Sequence, residues 1–378
     1  MTLAQESIQS GIRDLAEQQV ADGRQVGIQV AVYQHGEPVV DVAAGAMGPD
    51  DGRPVQPDSL FCSFSVTKGV ASLAVHILAE RGQIDYDAPV VSYWPEFAPN
   101  GKERLTVAQA LSHQAGLHAM PEPFKPEHIT DWDAGIRRME QGVPAWEPGT
   151  ATGYHAVTFG WIVGGIVQGA TGRHIKDVIR EEIAEPLGVA DEVYVGIPDG
   201  LDDRLTTLEI LRMGEGAPLP PDHDMFKAMP TAMWAHFNEM PFRQACLPSG
   251  NGHFTARALA KMYGALANGG EVDGVQLVPP TRIPHMQRLM TEDVDRVLMA
   301  PIPKGIGFMF GGSSAGPGPM GPRRGAFGHP GAGGSVAFCD PEAGLSVAIL
   351  INKMQNAAPG EGTTLELCNR IRELAGAE

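Results

Sequence analysis

The sequence predicts an α+β fold: one antiparallel sheet flanked by helices and built from both termini, with a mostly helical domain inserted between. Three observations predict it. Short apolar, strand-like runs cluster before residue 65 and after residue 304. The stretch from about 83 to 285 has helical periodicity and many loops. No regular alternation of strand and helix runs along the chain, as a parallel sheet would need. Segments 1–82 and 286–378 are therefore assigned to a sheet domain and 83–285 to a helical one, with an active site in the cleft between them.

Each element has its own signal. Leu3, Ile8, Ile12 and Leu15 recur near helical spacing, so residues 3–22 are an amphipathic helix. Residues 26–33 and 38–44 are apolar runs around Gln34-His35-Gly36-Glu37, a hairpin pattern. Residues 59–64 are strand-like, and a helix runs from Ser65 to Arg81 and stops at Gly82. Further helices are expected at 106–114, 159–169, 175–187 and 255–268; Thr255 serves the last as N-cap, and Gly269-Gly270 end it. Residues 305–311 and 325–329 are Gly-rich apolar runs. Residues 335–339 and 345–352 are strands around a turn at 341–344, and 364–374 closes the chain as a helix.

Composition sets the class. Of 378 residues, 43% are apolar and 19% charged, the balance of a folded globular chain and not of a disordered one. The 47 Gly and 31 Pro point to many loops. The formal charge of −17 repels phosphate backbones and anionic lipid, so neither nucleic acid nor membrane is an expected partner. Cys62, Cys246, Cys339 and Cys368 stand apart, without zinc or disulfide spacing. Residues 1–19 lack a basic start and an apolar stretch, so no signal peptide is read there. No run reaches the ~18 apolar residues of a membrane span. A reduced, cytoplasmic protein is expected, and no metal or cofactor is implied.

Ser65-Val66-Thr67-Lys68 opens a helix. Positions i and i+3 share a helix face, so Lys68 can reach the Ser65 hydroxyl. The helix start adds partial positive charge and free N–H groups, which suit an alkoxide and an oxyanion. By itself a Ser and a Lys three apart mark no more than a surface helix start. Here the helix that follows (Val70, Leu73, Ala74, Ile77, Leu78) is apolar over much of its surface and must be buried, so the lysine needs a reason to be there.

The residues around it resemble a known family. Phe64-Ser65-Val66-Thr67-Lys68-Gly69 resembles the nucleophile motif of the serine β-lactamase and penicillin-binding-protein superfamily. Leu111-Ser112-His113-Gln114-Ala115-Gly116-Leu117 is similar to a segment downstream of it in class C-like members. Pro148-Gly149-Thr150 with Tyr154-His155-Ala156 resembles the second motif, and Gly328-His329-Pro330-Gly331 the third. The matches keep family order and span most of the chain; by pattern, the nearest relatives are the family VIII carboxylesterases.

The resemblance implies roles. Ser65 is the nucleophile that forms an acyl-enzyme and Lys68 its activator. Tyr154 relays protons, as a phenolate beside the Lys68 cation or through Lys68. The N–H groups of Ser65 and Ala332 form the oxyanion hole. His329 is a supporting residue that hydrogen-bonds Tyr154 or substrate, or else a satisfied strand-end histidine. Gly331 lets the backbone pass close to substrate. His113 reads as structural, and Asp222-His223-Asp224 as a solvated loop.

Two departures favour esters over β-lactams. Ala156 stands where lactamases carry an amide-binding Asn, and His329 where they carry a carboxylate-binding Lys. Met233, Trp234 and Phe237, within a Met-rich and Pro-broken stretch from 225 to 242, are candidates for the pocket or for a core helix. The expectation is a serine hydrolase cleaving short to medium acyl esters, with a small-molecule ester as its partner. Acyl transfer on the same fold and weak β-lactamase or D-aminopeptidase activity are the alternatives, ahead of a non-enzymatic binding protein. Gly312-Ser313-Ser314-Ala315-Gly316 matches the serine motif of α/β-hydrolases in form only, because Pro317, Pro319 and Pro322 forbid the helix that must follow.

Overall fold

A computed structural model describes residues 3–212, 219–356 and 360–378. Strands β1 (Gly27–Gln34), β2 (Glu37–Gly48) and β3 (Asp51–Pro54) come from the start of the chain. Two-residue strand β4 (Phe61–Cys62) follows them, then β5 (Val193–Val195), β6 (Gly252–Phe254), β7 (Glu271–Val272) and β8 (Val275–Gln276). Strands β9 (Met309–Phe310), β10 (Phe327–Pro330), β11 (Val336–Asp340) and β12 (Leu345–Ile351) complete the set. The main sheet has seven strands in the order β3-β2-β1-β12-β11-β10-β9, and each paired neighbour is antiparallel. Ends far apart in sequence are thus joined at its centre, with Ile28 opposite Ile351.

Six described helices have ten residues or more: α1 (Leu3–Ala21), α2 (Val66–Glu80), α3 (Trp132–Gln141), α4 (Phe159–Thr171), α5 (Ala256–Ala267) and α6 (Thr363–Ala375). Strand alternation sorts the core. Val30, Val32, Phe338, Val347 and Ile349 join Ile8, Ile12 and Ile371 of α1 and α6 in one apolar cluster. Ala31, Ala337, Ala348 and Leu350 face the other way, toward Leu259, Tyr263 and Leu266 of α5. Small residues on that second face let α5 lie close to the sheet. So α5, although within 83–285, packs on the sheet strands. Every residue of α2 from Val66 to Leu78 is buried.

Several elements differ from expectation for local reasons. The strand at 59–64 pairs with β6 in a separate three-stranded sheet, β4-β6-β5. The helix at 106–114 shortens to Val107–Leu111 behind a Thr106–Gln109 capping box. Residues 175–187 form a short helix and then a wider turn, in which Glu185 N–H bonds Arg180 C=O before Pro186. Of residues 305–311 only Met309–Phe310 is strand, because Gly307 (φ 82°) turns against α2, where a Cβ would lie 2.0 Å from Ser72 Oγ. No described helix is long and apolar enough to cross a membrane.

Candidate active site

Ser65 sits where β4 gives way to α2. The Ser63 N–H and hydroxyl both donate to Gly252 C=O, at 2.9 and 3.1 Å. Phe64 then adopts φ 48°, a left-handed conformation that costs a non-glycine residue about 1–2 kcal/mol. Edge contacts with Phe237 and Trp234, at 4.8 and 5.7 Å between centroids, hold its ring. The N–H groups of Val66, Thr67 and Lys68 bond to Ser63, Phe64 and Ser65 carbonyls. The Ser65 N–H has no such acceptor among the described residues.

Lys68 is wholly buried. Its Nζ lies 2.7 Å from Ala156 C=O, 2.7 Å from Ser249 C=O and 3.2 Å from Ser65 Oγ. No carboxylate among the described residues contacts it, and burial pushes its pKa well below the ordinary 10.5. A neutral amine has two N–H groups, and the two carbonyls take both. In that form the remaining lone pair is left for Ser65 Oγ, 3.2 Å away.

Tyr154 is buried at the same point, its ring 4.8 Å from Lys68 Nζ and its phenol hydrogen-bonded to Ser65. Burial raises the phenol pKa, against the lowering effect of the Ser65 bond. These directions oppose an ammonium–phenolate pair. His113, also buried, packs its ring 4.8 Å from that of Tyr154 and accepts the His155 N–H at 3.0 Å. His155, unassigned by sequence, fixes the turn through Leu117 N–H and Gly153 C=O.

Strand β10 brings the third motif alongside. His329 Nδ1 bonds Pro330 C=O at 2.7 Å, which makes Nδ1 the protonated nitrogen and Nε2 a bare acceptor without a partner among the described residues. Burial pushes the His329 pKa down to about 3, so the ring is neutral. Its ring lies 6.0 Å from that of Tyr154. A Cβ on Gly331 would fall 2.4 Å from Ser63 C=O, so the strand end passes directly beside the turn that carries Ser65. The Ala332 N–H, like that of Ser65, has no acceptor among the described residues, and both residues line one cleft. Gly331→Ala is expected to push the strand away and lower kcat roughly 10²-fold, the effect of losing one oxyanion donor. Steady-state kinetics check this; a variant within threefold of wild type would remove Ala332 from the hole.

The cleft has a volume of ≈ 670 Å³ and also takes in Met225, Met229, Met233, Trp234 and Phe237. Pro230 and Pro241 break this stretch into short helical pieces, so it wraps the cleft instead of forming one core helix. Asp224 is no solvated loop residue: it begins a short helix and lies 3.2 Å from buried His118. Ser314 is exposed in a turn, with turn and coil, not helix, directly after it.

A family model described as Beta-lactamase matches residues 12–367. The chain belongs to the Beta-lactamase family. Within that family it is 36% identical over 355 residues to "Esterase/beta-lactamase LipL" of Mycobacterium tuberculosis (strain ATCC 25618 / H37Rv), across 87% of this chain and 77% of the relative. A crystal structure of a family VIII carboxylesterase superposes with a TM-score of 0.88 at 34% identity, covering 97% of each chain. A penicillin-binding protein homolog from Caulobacter crescentus does so at 0.86 and 36%, again over 97% of each. This Beta-lactamase-family site uses groups that sequence reasoning missed. The Ala156 and Ser249 carbonyls orient Lys68, and Asp295 accepts the Tyr154 N–H at 3.0 Å.

Proposed function

We propose that the protein is an esterase-type serine hydrolase that cleaves esters of short to medium acyl chains through a Ser65 acyl-enzyme. The single observation that carries the reading is the placement of the Lys68 amine, with Nζ 2.7 Å from two carbonyls and 3.2 Å from Ser65 Oγ. Ser65 Oγ attacks the ester carbon, and its proton passes to Lys68 Nζ. The carbonyl oxygen, now negative, lies between the N–H groups of Ser65 and Ala332. The phenol of Tyr154 protonates the departing alkoxide and is recharged from Lys68. Water then attacks the acyl-enzyme by the reverse route and frees the acid.

Substrate class follows from the walls. Four methionines (Met225, Met229, Met233, Met309) with Trp234 and Phe237 offer an adaptable apolar surface to an acyl chain. His329 presents a neutral acceptor where a substrate carboxylate would need a cation. An anionic lactam therefore meets no countercharge among the described lining residues, and Ala156 brings no side-chain amide to it. The relative named Esterase/beta-lactamase and the family VIII carboxylesterase structure support the same reading.

The test is purified protein on p-nitrophenyl butyrate and on nitrocefin, with Ser65→Ala beside it. Ser65-dependent ester cleavage is expected to exceed nitrocefin turnover at least 100-fold in kcat/KM. Equal rates on the two would refute the argument from Ala156 and His329.

A further inference from the structure

Residues 291–304 form a strap beside the catalytic groups. Thr291 pairs with Lys304 and Val294 with Pro301 across it. Asp295 and Lys304, both almost wholly buried, form an ion pair at 2.5 Å. The other carboxylate oxygen of Asp295 accepts three backbone N–H groups: Tyr154 at 3.0 Å, and Val297 and Leu298 at 2.8 Å each. Arg296 N–H also donates to Thr152 C=O at 3.0 Å, so the strap grips the turn that delivers Tyr154 at two points. Leu298 and Ile302, between the paired residues, line the cleft.

We propose that Asp295 is a positioning residue for Tyr154: one oxygen fixes the tyrosine backbone while Lys304 clamps the other and closes the strap that walls the cleft. A buried ion pair contributes little net stability once its desolvation is counted, so stability alone does not account for it. One of its bonds ends on the residue whose phenol meets Ser65, and a small misplacement of a reacting group can cost about 10²-fold. The Asp295 charge also acts on the phenol, helping to keep its pKa high.

The inference rests on the serine-hydrolase reading. Asp295→Ala removes the acceptor, whereas Asp295→Asn retains an oxygen for the three N–H groups. Folded sites are counted by end-point labelling of Ser65 with a fluorophosphonate, and kcat on p-nitrophenyl butyrate is expressed per labelled site. Per-site kcat is expected to fall at least tenfold in Asp295→Ala, and Asp295→Asn to recover most of that loss. A purely structural pair would lower the labelled fraction and leave per-site kcat at the wild-type level, which overturns the proposal. So does an Asn variant as slow as the Ala variant. Wild-type protein without Ser65-dependent turnover would instead overturn the underlying reading, and the inference with it.

Discussion

Ser65→Ala is expected to lower ester hydrolysis by roughly 10⁴-fold or more while leaving the fold intact, because no second serine or cysteine lines the cleft among the described residues. The Ser65 side chain takes no capping bond in α2, so its loss costs the helix little. The remaining rate would come from the Ser65 and Ala332 N–H groups and from binding alone. Mass spectrometry after fluorophosphonate treatment should show one adduct on wild type and none on the variant. Ser314→Ala serves as the control and should stay within twofold of wild type. A Ser65→Ala enzyme that keeps more than about 1% of the rate would place the chemistry on another residue.

Lys68→Met is the second large effect. Methionine fills the same buried space but cannot take a proton, and kcat/KM should fall roughly 10³-fold or more, the contribution of a positioned base with its nucleophile. The pH dependence carries the sign. In the proposed mechanism the ammonium form of Lys68 is inactive, so wild-type activity is expected to rise with pH as the amine loses its proton. Its pKa lies well below the ordinary 10.5, so that rise ends below pH 10.5. The variant should lose this acid limb.

Stability follows the same group. Between the folded and unfolded pKa values the unfolded chain binds more protons, so stability increases with pH through that window. This increment is lost as pH falls through the folded value, and below it the buried charge opposes folding in full. Denaturant unfolding across that window should show a slope in wild type that Lys68→Met lacks. Identical slopes would mean that Lys68 stays charged in the fold, and the lone-pair argument would go with it.

What the sequence discloses here depends on whether the signal lies in side chains or in backbone. Ser65, Lys68 and Tyr154 stand in short patterns of side-chain chemistry, so they are legible one by one, and the structure brings them within contact of one another. The sheet is legible because β1, β11 and β12 are long enough for their apolar composition to show. The two-residue strands β4 and β9 carry no period, and their pairing depends on distant segments. Ala156 and Ser249 act through carbonyls, a group every residue has. Asp295 sits near Glu292 and Asp293 and looks like any surface acid until Lys304 folds over it.

The pairing of Ile28 with Ile351 fixes an order of events during synthesis. The two residues are 351 − 28 = 323 positions apart, and a ribosome adding about 5–20 residues per second needs roughly 15–65 s to cover that distance. Through that interval the β1–β2 hairpin has emerged with one long edge open and its partner strand not yet made. An open edge of this kind invites pairing with another chain. Yield in a cell should therefore depend on how well nascent hairpins are shielded and on how crowded they are. Slower expression or added chaperone then acts on the wait for β12, with no change to the finished enzyme.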